Sequence, residues 1–239
     1  MKIALIGYGK MGKTIERIAR SRGHEIVAIV DGPIDSWIET ASPDSIDVVI
    51  EFSIPEAAYT NISTCLAKGL KVVSGTTGWL SRKPEADAIC LQNPSSAFFY
   101  ASNFSIGVNL FFRLNQFLAK LMSNHSEYSL TTTEIHHTEK KDAPSGTAIT
   151  LAEGIIAHNP TYQSWVNNTL AQTDEVPIWS AREGKVPGTH IIKYISEVDQ
   201  IEILHQAHSR EGFAQGAVIA AEWIQNQTGV VGMENMLSF

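Results

Sequence analysis

Short apolar runs recur through the first hundred residues, each ending in a glycine or a polar turn and followed by a stretch with helical spacing. KIALIG, residues 2–7, is almost wholly apolar, the composition of a parallel strand buried on both faces. The next segment, KTIERIARSRG, puts Ile15, Ile18 and Ala19 on one helical face and stops at Gly23. EIVAIVD is a second strand, ending at Asp31, and DVVIEFS a third. PEAAYTNISTCLAKG follows as a helix opened by Pro55 and closed by Gly69, then KVVSG as a strand and a further strand that reaches YASNFS. This alternation predicts an α/β domain built on a parallel sheet.

Near Asn103 the texture changes. GVNLFFRLNQFLAKLM reads as a long helix with Val108, Phe111, Phe112, Leu114 and Leu118 on its buried side. EYSLTTTEIHH is β-rich, TEKKDAP is a loop, and SGTAITLAEGIIA is a helix with Ser145 as its N-cap. THIIKYIS and QIEILHQAH add strands, so this part is expected to be an α+β domain with a mixed sheet. FAQGAVIAAEWIQNQ reads as a helix that returns to the first domain. The expected division is 1–103 with 214–239, and 104–213.

Composition narrows the functions. With 239 residues, 44% of them hydrophobic, the chain is long enough for a substantial core. A formal net charge of −7 argues against nucleic-acid or anionic-membrane partners, which need broad basic faces. The N-terminus has neither a secretory pattern nor a membrane-spanning run, and a cytoplasmic location is expected. Cys65 and Cys90 have no metal-ligand spacing, so neither a disulfide framework nor a metal is expected.

Two stretches carry chemistry. GYGKMG, residues 7–12, has Gly7, Gly9 and Gly12 in GxGxxG spacing between a strand and a helix, and Asp31 follows Gly12 by nineteen positions. Gly7 allows the tight turn, Gly9 lets the backbone approach a pyrophosphate, and Gly12 lets the helix pack on its strand. This makes the first domain Rossmann-type. The run Gly75, Thr76, Thr77 lies just past another strand's C-terminal end, the edge where such sheets bind ligands. The second stretch, TEIHHTEKKDAPSGTA, holds His136, His137, Lys140 and Lys141 ahead of a helix whose first residues, Gly146 and Thr147, can bind a small carboxylate. Imidazole and a desolvated lysine are suited to moving protons near neutrality.

HHxxxK followed by DAPSGTA resembles the signature of the 4-hydroxy-tetrahydrodipicolinate reductase family, and EFSIPEA, SGTTGW, ASNFSIGVNL and EILHQAHSREGFAQGA follow the same family in order. The resemblance implies reduction of 4-hydroxy-tetrahydrodipicolinate to tetrahydrodipicolinate with NADH or NADPH, in lysine and diaminopimelate biosynthesis. It assigns His136 and Lys140 to proton transfer, and His137, Gly146 and Thr147 to the dicarboxylate substrate. Gly7, Tyr8, Gly9, Lys10, Met11, Gly12 and Asp31 then hold the pyrophosphate and adenosine ribose, while Gly75, Thr76, Thr77, Ala101, Ser102, Asn103 and Phe104 take the nicotinamide half and the hinge. It also implies a homotetramer formed through the second domain. Asp31 favours the ribose hydroxyls of NADH and Lys10 can reach the 2′-phosphate of NADPH, so dual use with a modest NADH preference is expected. The other readings are a different two-domain NAD(P)-dependent reductase acting on an amino-acid-derived carboxylate, and a non-catalytic dinucleotide sensor.

Overall fold

The computed structural model describes residues 1–168, 170–209 and 211–238. Its first elements are β1 (Lys2–Ile6), α1 (Lys10–Ser21), β2 (Glu25–Val30), α2 (Asp35–Thr40), β3 (Val48–Glu51), α3 (Pro55–Ala67), β4 (Lys71–Ser74), α4 (Lys83–Gln92) and β5 (Ala97–Tyr100). They are followed by α5 (Ile106–Met122), β6 (Ser129–His136), α6 (Gly146–His158), β7 (Ser164–Val166), β8 (Glu175–Arg182), β9 (Thr189–Ile195) and β10 (Gln200–Gln206). The chain ends with α7 (Glu211–Ile224), β11 (Gly229–Val231) and α8 (Met233–Leu237). It divides into two compact units, Met1–Ile106 with Glu211–Phe239, and Gly107–Arg210.

Unit 1 holds a six-stranded sheet in the order β11-β5-β4-β3-β1-β2, with every pairing parallel. Side-chain alternation sends Ile3 and Leu5 into one core, with Ile15, Ala217 and Val218, and sends Ala4 and Ile6 into the other, with Ile62 and Leu66. Both faces are covered, which explains why β1 is wholly apolar after Lys2 and β3 wholly apolar before Glu51. Phe104, expected to open the second domain, belongs to unit 1. It is buried there against Phe52 and Phe99.

Unit 2 holds a mixed sheet ordered β10-β9-β6-β8-β7. β6 is antiparallel to β9 and parallel to β8. One face packs on α5 and α6 through Leu130, Ile178, Ile192, Tyr194, Phe111, Leu118 and Leu151. In α5 the expected inward Leu114 is 48% exposed. Asn115 takes the buried place in line with Phe111, Leu118 and Met122, and donates to the Leu151 carbonyl at 2.9 Å. Along β6 the buried face runs Leu130, Thr132, Glu134, His136, passing from apolar to titratable toward the strand's end.

Candidate active site

In unit 1 the chain leaves β1 at Gly7, whose φ is +87° and whose N–H donates to Val30 O at 2.8 Å. A Cβ at Gly7 would lie 2.2 Å from Phe52 O, and one at Gly12 2.3 Å from Gly7 O, whereas nothing stands within 4 Å of one at Gly9. The turn is therefore closed toward the protein and open at Gly9. Gly9 N-caps α1 without a side-chain bond, leaving the first N–H groups of that helix to an outside acceptor. Asp31 is exposed and accepts the Tyr8 N–H at 3.2 Å. Gly7, Tyr8, Gly9, Asp31 and Asp35 line a cavity of about 730 Å³. A second cavity, of about 400 Å³, shares Phe52 and Ser53 with it and adds Met11, Gly75, Thr76, Thr77, Ser102 and Phe104. Of the remaining expected residues, Lys10 is exposed on the first turn of α1, Gly12 and Ala101 are buried behind the walls, and Asn103 is half-buried, accepting the Ser105 N–H at 2.9 Å. An open glycine turn, an uncapped helix start and two adjoining cavities fit a dinucleotide.

In unit 2 the centre is Glu134, fully buried, with four partners. His136 Nε2 lies 3.3 Å from Oε2 and His190 Nε2 3.9 Å from it. An Arg182 N–H donates to Oε1 at 3.3 Å, and the Ser145 N–H lies 3.1 Å from both oxygens. Burial pushes the Glu134 carboxyl up, but the contacts from His136 and Ser145 outweigh it and hold it well below the usual carboxylate range. Burial and the neighbouring His136 push His190 down to about 4, so its imidazole is neutral at pH 7. Arg182 also donates to the carbonyls of Lys140 and Asp142, bracing the loop between β6 and α6. Ser145 N-caps α6, accepting the Ala148 N–H at 3.2 Å. Gly146 is exposed and Thr147 half-buried at the start of that helix.

Glu134 thus joins His136 to the start of α6. The adjacent histidine lies just past the end of β6: His137 lines a depression of about 530 Å³ with Thr138, Glu139, Gly184, Lys185 and Pro187. The Lys140 ammonium donates to both oxygens of exposed Asp142 at 2.8 Å. Glu134, Arg182 and His190 were not among the expected site residues. Period-two spacing places Glu134 on the face of His136, a signal present in the sequence; Arg182 and His190 reach it only through the pairing of β8 and β9 with β6. The same register collects ligand atoms of Glu134, His136 and His190 within 4.8 Å, a group that linear spacing does not reveal. Arg182 and the Ser145 N–H already engage this carboxylate, the donor set of a charge network.

Family models of dihydrodipicolinate reductase match in two parts, the N-terminus over residues 1–104 and the C-terminus over 107–237. The chain belongs to the dihydrodipicolinate reductase family. A 4-hydroxy-tetrahydrodipicolinate reductase of Christiangramia forsetii is 50% identical over 238 residues, covering 100% of this chain and 98% of its own. One from Lawsonia intracellularis is 34% identical, covering 95% of each chain. The structure of a dipicolinate-bound dihydrodipicolinate reductase from Paenisporosarcina sp. TG-14 shares the fold, with a TM-score of 0.78 at 22% identity and 99% of each chain covered. Membership makes the chain a pyridine-nucleotide-dependent oxidoreductase that reduces 4-hydroxy-tetrahydrodipicolinate.

Proposed function

We propose that unit 1 binds NADH or NADPH through the residues of its two cavities, and that the loop and helix start of unit 2 bind the dicarboxylate and move its protons. The observation that carries this reading is the single carboxylate of Glu134, which lies 3.3 Å from His136 Nε2 and accepts the N–H of Ser145, the cap of an anion-binding helix. When bound, the nucleotide supplies a hydride. The protein's own part is binding and proton transfer. Gly146 and Thr147, at the positive end of α6, hold one carboxylate, and His137 contacts the substrate from the neighbouring depression. Lys140 Nζ delivers a proton once the substrate displaces Asp142, and His136 Nε2 exchanges the second, its charge supported by Glu134. Dipicolinate, the ligand of the Paenisporosarcina relative, has the planar dicarboxylate shape such a site selects and should compete with the substrate.

The larger cavity has Asp31 and Asp35 on its wall and, among the described residues, no cationic side chain, which supports a modest preference for NADH over the additionally charged NADPH. Lys10 is the nearby cation in sequence, so Lys10→Ala should weaken NADPH more than NADH. A cytoplasmic location agrees with the absence, among the described residues, of any helix long and apolar enough to cross a membrane. A homotetramer agrees with the outer face of the unit 2 sheet, where Trp179 and Leu204 are about half exposed. The test is a coupled assay: pyruvate and aspartate semialdehyde with a condensing synthase, followed by the loss of NADH or NADPH absorbance when the protein is added. Consumption that dipicolinate inhibits supports the reading. Tight nucleotide binding without turnover would support a sensor instead.

A further inference from the structure

Among the described residues, one buried carboxylate besides Glu134 is Glu51. Glu51 closes β3 in unit 1, is 0% exposed, and has no cationic partner among the described residues. Its four hydrogen-bond partners are one backbone N–H and three hydroxyls. Oε2 accepts the Ser74 hydroxyl at 2.6 Å; Oε1 accepts the Ser53 N–H and the Thr76 hydroxyl, each at 3.0 Å, and the Ser53 hydroxyl. Asn61 donates to Ser53 Oγ at 3.2 Å, and Trp79 Nε1 to Thr76 O at 2.7 Å, locking the two loops that carry these contacts. Burial pushes the carboxyl above its ordinary range, and the hydrogen bonds from Ser53, Ser74 and Thr76 offset part of that rise. Four hydrogen bonds to its two oxygens, one of them from an N–H that can only donate, support the ionised form.

Ser53 and Thr76 stand between this carboxylate and the 400 Å³ cavity that they line with Gly75 and Thr77. We propose that Glu51 is a positioning residue for the nicotinamide end of the nucleotide, and that its uncompensated charge raises affinity for the oxidised form relative to the reduced. The inference rests on the nucleotide-binding reading of unit 1. A nicotinamide ring becomes positive when it gives up hydride, and a fixed negative charge in a water-poor interior acts on that difference far more than one in solvent. A purely structural role would change both affinities together. The charge acts on their ratio.

The experiment measures Kd for NAD⁺ and NADH on the full-length protein, without dicarboxylate, for the unaltered chain, Glu51→Gln and Glu51→Asp. Glutamine retains an acceptor for Ser53 and Thr76 and can donate to Ser74 Oγ, so the loops keep their ties while the charge is lost. Glu51→Gln should raise Kd(NAD⁺)/Kd(NADH) roughly tenfold, and Glu51→Asp should leave it near its original value. Glu51→Ala serves as a second uncharged variant if the glutamine protein does not fold. Equal shifts in both constants, or no shift in either, would overturn the proposal. Should the unaltered protein bind neither nucleotide, the reading of unit 1 fails and takes this inference with it; binding with an unchanged ratio in the uncharged variants sinks the inference alone.

Discussion

Glu134 is a carboxylate that burial alone would keep protonated, yet the groups around it hold it ionised. The same environment acts oppositely on His190, which lies beside that carboxylate and edge-on to His136 and is kept neutral chiefly by burial. An unfolded histidine titrates at about 6.5, so as pH falls from 6.5 toward 4 the unfolded chain takes up a proton at His190 that the folded chain refuses. Stability from this group is fully present above pH 6.5 and drains away below it, by on the order of 3 kcal/mol at pH 4. Glu134 acts lower: its contribution is complete above the ordinary carboxylate range and is lost as pH falls below that range. Thermal unfolding followed from pH 7 to 4.5 should therefore show a steep decline in the unaltered protein and a shallower one in His190→Asn. Equal slopes would show that His190 is not the group being titrated.

At the scale of elements, the glycine turn separates two kinds of glycine. Gly12 is required by the protein itself, since a Cβ there would overlap the Gly7 carbonyl, whereas Gly9 faces open space. Gly12→Ala should lower Tm and weaken nucleotide binding. Gly9→Ala should leave Tm near its original value and still weaken the nucleotide by at least about tenfold, because the new methyl projects where a pyrophosphate must approach. A Gly9→Ala protein with undiminished affinity would remove the pyrophosphate from this turn. Signals of this kind were legible in the sequence because they are local: a strand, a turn and a helix start lie within a dozen residues. The Ser145 cap was legible for the same reason. The Glu134 cluster was not, because β8 and β9 bring Arg182 and His190 to it across the sheet and no linear spacing encodes that register. Nor was the rotation of α5, which carries two apolar stripes: the one with Val108, Phe111, Leu118 and Met122 is buried and includes Asn115, while the one with Leu110, Leu114, Phe117 and Leu121 is exposed. Short elements such as α2 and β11 have too few residues for periodicity to register.

For the whole molecule, the proposed assignment puts nucleotide binding on the glycine turn and cavities of unit 1 and proton transfer on the β6–α6 loop of unit 2. The net charge of −7 makes the positive groups of that loop a local feature in an acidic protein, suited to a small anion rather than an extended one. With proton transfer proposed for this loop and nucleotide binding for unit 1, catalysis and nucleotide affinity should separate on mutation. The measurement is turnover in the coupled assay alongside nucleotide Kd, for His136→Ala and Lys140→Ala. Each should lower kcat by roughly two to four orders of magnitude, the usual range for loss of positioned acid–base catalysis, with nucleotide Kd essentially unchanged. Near-original kcat/KM in both variants would contradict the account.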